Sequence, residues 1–251
     1  MNEPDIVARI DAVVAQRAML QHPFYRAWSA GELPIDTLRT YAAQYYHHVE
    51  AFPMAVSAIH STWPEPRGRR MLAENLAEEE GIGEGKDDHA TLWRRFALGL
   101  GVQASELEAA ELHSETQALI AAFASLSRRN YAAGLGALYA YESQLPEVAR
   151  AKIEGLIRFY GIEDEATLRF FRVHERADIE HAKVCRDLLR ELPSWRQLEA
   201  EKGATALADA LWAFLSGILG CRRFDPRLRE GGRPCTSPNS AQSVEFRSTP
   251  P

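Results

Sequence analysis

The sequence predicts an all-α protein, an antiparallel bundle of helices joined by short turns. Apolar residues recur every three or four positions through most of the 251 residues, and no alternating run of useful length suggests a strand. Most prolines and several glycines fall between the periodic stretches, where they act as helix stops. Hydrophobic residues make up 46% and charged residues 25%, the balance of a globular chain with a core. Long helices with short connections imply antiparallel neighbours, and no fixed-period repeat points to a solenoid.

The elements follow in order. Ile6, Ile10, Val13 and Val14 open an amphipathic helix to about Leu20, broken by His22-Pro23. A short helical piece carries Phe24, Tyr25 and Trp28 and ends at Gly31 and Pro34. A long helix runs from Asp36 to about Trp63, with Pro53 as the expected kink. Another spans Arg67 to Glu80, interrupted by Gly81, Gly83 and Gly85, and a helix resumes near Asp87 and continues to Leu100. Ser105 with Glu108 reads as a capping box that opens a helix through about Leu126. Asn130 to Leu145 is the next, and Pro146 starts a helix to Tyr160 that Gly161 closes. Asp164 caps a long helix to about Leu192, and Ala204 to Leu219 is the last. Residues 1–220 form the helical domain. From Cys221 the chain turns rich in proline and arginine and poor in apolar residues, so 221–251 is expected to be a disordered tail.

Composition excludes several classes. Lys plus Arg is 29 against 35 for Asp plus Glu, a net charge of −6, so no basic face for nucleic acid is expected. Three cysteines make no disulfide framework, and the start MNEPDIVARID lacks the pattern of a signal peptide, so the expected location is cytoplasmic. No uninterrupted apolar run of about 18 residues suggests a membrane span.

The chemistry gathers in FFRVHERADIEHAKVC, residues 170–185. His174, Asp178 and His181 stand at i, i+4 and i+7, within about 60° of one another on one helix face. Two imidazoles and a carboxylate on one stripe suit iron, manganese or zinc. The plain alternative is a solvated polar face, since Glu175, Arg176, Glu180 and Lys183 lie nearby. Glu142 sits among Leu138, Tyr139, Tyr141 and Leu145, where an unpaired carboxylate would be costly to bury. Glu78, Glu79 and Glu80 end a helix, where the dipole disfavours carboxylates, and His89 begins the next. One of these glutamates with His89, Glu142, His174, Asp178 and His181 gives the inventory of a dinuclear carboxylate site in a helical bundle. GIGEGK at 81–86 lacks the strand and the Ser/Thr of a phosphate loop.

The segments HPFYRAW (22–28), YAAQYYHHVEAFP (41–53), ENLAEEEG (74–81), DDHATLW (87–93), YAYESQLPEVARAKIEGLIRFYG (139–161) and HERADIEHA (174–182) resemble the haem-oxygenase-like dimetal oxidases. Within them the resemblance is to the CADD-type proteins, the self-sacrificing para-aminobenzoate synthases, and it covers roughly residues 5–220. It implies a haem-oxygenase-like bundle and metal ligands at Glu79, His89, Glu142, His174, Asp178 and His181. It implies iron paired with iron or manganese, molecular oxygen and an external reductant, whose protein partner the sequence does not identify. It further implies that Tyr25 is the consumed tyrosine, Lys152 the amine donor and Tyr41 a second active-site tyrosine.

That reaction accounts for the residue types. A tyrosine side chain is already a para-substituted ring. Oxidising its benzylic carbon to a carboxylate, cutting it from Cα and exchanging the phenol oxygen for nitrogen gives 4-aminobenzoate, a folate precursor. The amine must be neutral when it attacks, as a lysine desolvated near metal ions would be. Tyr25, on a short segment near the start of the bundle, is expected to be expendable without opening the main core. Taken singly, Tyr25 and Tyr41 could be packing residues and Lys152 an exposed lysine. His47, His48, His60 and His113 are read as structural, and Cys185 as a small buried hydrophobe. Two other readings stand beside this one: an oxidase of a diffusible substrate on the same scaffold, and a protein-interaction module. A homodimer is compatible with each.

Overall fold

The structure, a computed structural model, describes residues 5–220. The expected tail over 221–251 lies outside the described residues. Those residues form helices α1 (Ile6–Gln16), α2 (Pro23–Ala30), α3 (Ile35–Thr62), α4 (Pro66–Glu79), α5 (His89–Gly99), α6 (Ala104–Glu108), α7 (Ser114–Arg129), α8 (Tyr131–Glu142), α9 (Leu145–Tyr160), α10 (Glu165–Arg190) and α11 (Ser194–Gly220). One 3-10 turn, Met19–Gln21, lies between α1 and α2, and there is no strand among the described residues.

Local chemistry sets most boundaries. His22 caps α2, its Nδ1 accepting from the Phe24 N–H at 3.0 Å, and Pro23 occupies the first turn. Asp88, Asn130 and Asp164 cap α5, α8 and α10 through side-chain oxygens that accept backbone N–H bonds of 2.7–2.9 Å. Gly31 and Gly161 close α2 and α9 in the left-handed region, at φ 71° and 66°.

Two expectations fail. The helix from Ser105 to Leu126 is interrupted: Gln103 and Glu106 make the capping box, α6 ends at Glu108, and α7 starts at Ser114. Gln44 of α3 holds the break open. Its Oε1 accepts from the His113 N–H and the Thr116 hydroxyl at 2.9 and 2.7 Å, and its Nε2 donates to the Glu111 carbonyl at 3.0 Å. The last helix begins at Ser194, not Ala204, because Arg9 of α1 bonds Gln197 and Glu201 and docks that first part.

The core is organised around α8, whose residues from Ala132 to Glu142 are all buried. A helix apolar on every side belongs at the centre of a bundle. Its tightest neighbour is α11. A Cβ on Gly136 would stand 2.0 Å from the Ala200 carbonyl oxygen, and one on Gly203 would stand 2.1 Å from that of Ala133, so only glycine permits this backbone approach. α11 is long and apolar enough to cross a membrane by length and composition. Its packing on α8, α7 and α1 accounts for that apolarity. α10 packs on α9, α5 and α8, while α3 packs on α7, α4 and α5. The C-terminal ends of α8 and α4, the start of α5 and the middle of α10 therefore meet in the interior.

Candidate dimetal centre

Six side chains converge there in two groups. Glu79, His89 and His174 form one, and Glu142, Asp178 and His181 the other; within each group the ligand-type atoms lie within 4.8 Å of one another. All six residues are buried. One small cavity touches both groups, lined by Glu79, His174, Glu142 and Asp178 with Val49, Phe52, Tyr141 and Phe170. α10 supplies His174, Asp178 and His181 from one stripe, with Glu175 and Lys183 turned away. The structure separates the three glutamates of α4. Glu79 points inward beside His89, Glu78 is half-exposed, and Glu80 is exposed.

Hydrogen bonds fix the imidazoles. The Nδ1–H of His174 donates to the Phe170 carbonyl at 2.7 Å, because a carbonyl can only accept, and this leaves Nε2 with its lone pair. His181 Nε2 lies 3.0 Å from a Glu78 oxygen, which leaves Nδ1 facing Asp178 at 3.4 Å and Glu142 at 4.0 Å. Glu78 thus orients a ligand-type histidine from outside, the usual role of a carboxylate behind a metal-binding imidazole. Glu142 is held at both oxygens, by Asn75 Nδ2 at 2.7 Å and by the Cys185 thiol at 3.2 Å. Cys185 is buried as expected, but it also donates to a carboxylate.

The donor set fits divalent cations. His89 Nδ1, His181 Nδ1 and Asp178 Oδ2 are buried without hydrogen-bond partners. Glu79 Oε2 lies 2.6 Å from His89 Nδ1, but off the direction of an N–H, so that pair does not satisfy the nitrogen. Burial pushes Glu142 up to about 7 and Asp178 up to about 6; the charge of Asp178 adds to the rise of Glu142, and that of Glu79 to the rise of Asp178. For His181 burial works downward, but the neighbouring carboxylates of Asp178, Glu142 and Glu79 outweigh it and raise the ring to about 9. Burial, reinforced by His89, holds His174 well below its ordinary value, as a neutral nitrogen ligand. Imidazole and carboxylate donors together suit iron and manganese.

An aromatic chamber adjoins this cluster. Tyr25 and Tyr41 are buried, with their hydroxyls 3.2 Å apart. The buried Lys152 donates from Nζ to the Tyr41 hydroxyl at 2.7 Å. Five rings surround that nitrogen, with centroids 5.0 to 5.6 Å away: Tyr25, Tyr41, Tyr45, Trp93 and Phe171. Burial lowers Lys152 to about 7 and pushes the phenols of Tyr25 and Tyr41 up. Tyr45 stacks on Tyr41, centroids 5.4 Å apart, and its hydroxyl lies 2.8 Å from that of Tyr141, which lines the cavity between the two groups. Tyr25 is integral to the core, 2% exposed and packed on Phe24 and Trp28, contrary to the expectation that it is expendable.

Sequence reasoning missed Asn75, Tyr45, Trp93, Phe171 and Tyr141 as members of this region, and it held Glu78 only as one of three candidate ligands, not as the partner of His181. The i, i+4 spacing of Tyr41 and Tyr45 was a usable signal. The rest come together only through packing between distant elements. Of the unassigned histidines, His48 is buried against Tyr45, Phe52, Phe123 and Tyr141 and belongs to neither ligand group.

Residues 39–215 match the family model described as an iron-containing redox enzyme. The chain is 40% identical over 215 residues to a 4-aminobenzoate synthase of Chlamydia muridarum, covering 84% of this chain and 89% of that one. It is 39% identical over 222 residues to a 4-aminobenzoate synthase of Nitrosomonas europaea, with the same coverage. Its fold is similar to that of a TenA homolog from Pseudomonas syringae, with a TM-score of 0.71 at 19% identity over 86% of this chain and 91% of the other. The chain is therefore an oxidoreductase of the haem-oxygenase-like, iron-containing redox enzymes, and within them it belongs to the 4-aminobenzoate synthase family.

Proposed function

We propose that this protein makes 4-aminobenzoate from the side chain of its own Tyr25, with Lys152 giving the amine, in a single turnover. The observation that carries this reading is the continuous contact of Lys152, Tyr41 and Tyr25 inside a closed aromatic chamber beside the two ligand groups. Glu79, His89 and His174 would hold one metal ion, and Glu142, Asp178 and His181 the other. The pair, iron with iron or manganese, would supply oxidising power drawn from molecular oxygen and an external reductant.

The chain's own residues do the rest. The chamber excludes water, which lowers Lys152 until a sizeable fraction is the neutral amine near pH 7. Tyr41 receives the Lys152 hydrogen bond and shares its hydroxyl with Tyr25, so a proton leaving the Tyr25 phenol has an immediate neighbour. Packing between Phe24 and Trp28 fixes the Tyr25 ring. Burial keeps the phenol protonated, so its proton and electron leave together.

A second reading, oxidation of a diffusible substrate, draws on an open groove lined by His89, His181, Leu92, Val173 and Arg176. The test is to load the purified chain anaerobically with ferrous iron, alone or with manganese, and then admit reductant and air with no organic substrate. The proposal expects up to one 4-aminobenzoate per chain. Product only on addition of a small molecule would favour the second reading.

A further inference from the structure

Farther along α3 from Tyr41 and Tyr45, on the same face, a cleft runs between α3 and α7. His48, Phe52, Ala55, Ile120, Phe123 and Ala124 line it, and the exposed Met54 and Arg128 stand at its mouth. Phe52 is a wall of this cleft and also of the small inner cavity that touches Glu79, Glu142, His174 and Asp178. We infer that this cleft is the dioxygen route to the dimetal centre, with the Phe52 ring as its inner gate. The inference rests on the proposed oxygen chemistry.

Three observations support it. The lining inside the mouth is apolar apart from His48, whose Nε2 is buried without a hydrogen-bond partner. Burial lowers that ring to about 3, so it stays neutral and the passage carries no charge. Dioxygen is apolar and prefers such a space to water. An apolar cavity of about 150 Å³ can stay dry and take up xenon, and this cleft, at about 100 Å³, is of the same order.

The gate stands where α3 is least tied. Pro53 has no N–H to give the Val49 carbonyl, so the turn carrying Phe52 lacks a ladder bond. Val49 itself lines the inner cavity.

The opposite approach is different in kind. The groove reaching His89 and His181 carries Lys86, Asp87, Glu165, Arg169, Arg172 and Glu180. Its charges favour water and hydrated ions over a gas. The two faces divide the traffic, polar species on one side and oxygen on the other.

The test combines gas binding with kinetics. Crystals of the metal-free protein under xenon pressure are expected to show xenon between Phe52, Phe123 and Ala124, and Ala124→Phe is expected to remove it. With ferrous iron loaded, stopped-flow mixing with oxygen should give a second-order rate constant at least tenfold lower in Ala124→Phe, and Ala124→Ser should match the wild type. Ile120→Trp serves as a second block if Ala124→Phe folds poorly. A cleft free of xenon, or a blocked variant that reacts at the wild-type rate, overturns the route. A wild-type chain that does not react with oxygen at all overturns the proposed function and the route together.

Discussion

Lys152 donates a 2.7 Å hydrogen bond from Nζ to the Tyr41 hydroxyl, inside the bundle and among five aromatic rings. Among the described residues it forms no ion pair, so burial acts on it unopposed and brings it to about 7 from an ordinary 10.5. This single relationship joins the fold to the chemistry, because a cationic lysine cannot be a nucleophile and a neutral one can.

The first prediction is a pH dependence. Product formation by the loaded protein should rise about tenfold per pH unit below about 7 and level off above it. Stability of the metal-free chain should carry the same signature. Between about pH 7 and 10.5 the unfolded lysine holds a proton that the folded one has released, so unfolding free energy rises with pH across that window. Urea titrations of wild type and Lys152→Met, compared pH by pH, should show that rise in the wild type only.

Substitutions at the two partners should separate fold from chemistry. Tyr25→Phe loses one hydrogen bond to Tyr41, worth about 1 kcal/mol, and keeps the ring packing. Lys152→Arg keeps a charge but presents a guanidinium that stays protonated. Both variants should retain helical circular dichroism and metal content while 4-aminobenzoate falls below detection by mass spectrometry.

Consuming Tyr25 should leave a mark on stability. Its ring is core, and removing a buried aromatic side chain costs about 3–5 kcal/mol. At roughly 2–4 °C per kcal/mol for a chain of this size, the spent protein should melt about 6–20 °C below the unreacted one. Calorimetry before and after turnover checks this, with Tyr25→Ala as the reference for the empty space.

Metal should stabilise the chain by relieving the clustered carboxylates. Ferrous ion at about a hundred times its dissociation constant should add about 2.7 kcal/mol per site. His174→Ala and His181→Ala should each lose about one equivalent, from different groups, since His174 sits with Glu79 and His89 and His181 with Glu142 and Asp178. Metal analysis by mass spectrometry and melting with and without chelator measure both effects.

The helical architecture was legible because caps and stops are local. Asp88, Asn130, Asp164 and Gly161 act on backbone within a few residues of themselves. The break at residues 109–113 was not legible, because Gln44 of α3 makes it from about 70 positions away. The early start of α11 was hidden likewise, since Trp195 and Leu198 are exposed and blur its periodicity. The stripe His174, Asp178 and His181 could be read from spacing, and the structure gathers it with Glu79, His89 and Glu142. The lysine chamber could not be read from spacing alone, because its walls come from α2, α3, α5 and α10, with Lys152 reaching in from α9.

The central claim is that Tyr25 is both catalyst residue and raw material, and one measurement meets it directly. The chain is produced with ring-labelled tyrosine, loaded with metal, and exposed to reductant and air, with product and intact protein then weighed by mass spectrometry. The account predicts label in the released 4-aminobenzoate, at most one product per chain, and a mass loss confined to the peptide containing Tyr25. Unlabelled product, several products per chain, or a Tyr25 peptide of unchanged mass would contradict it.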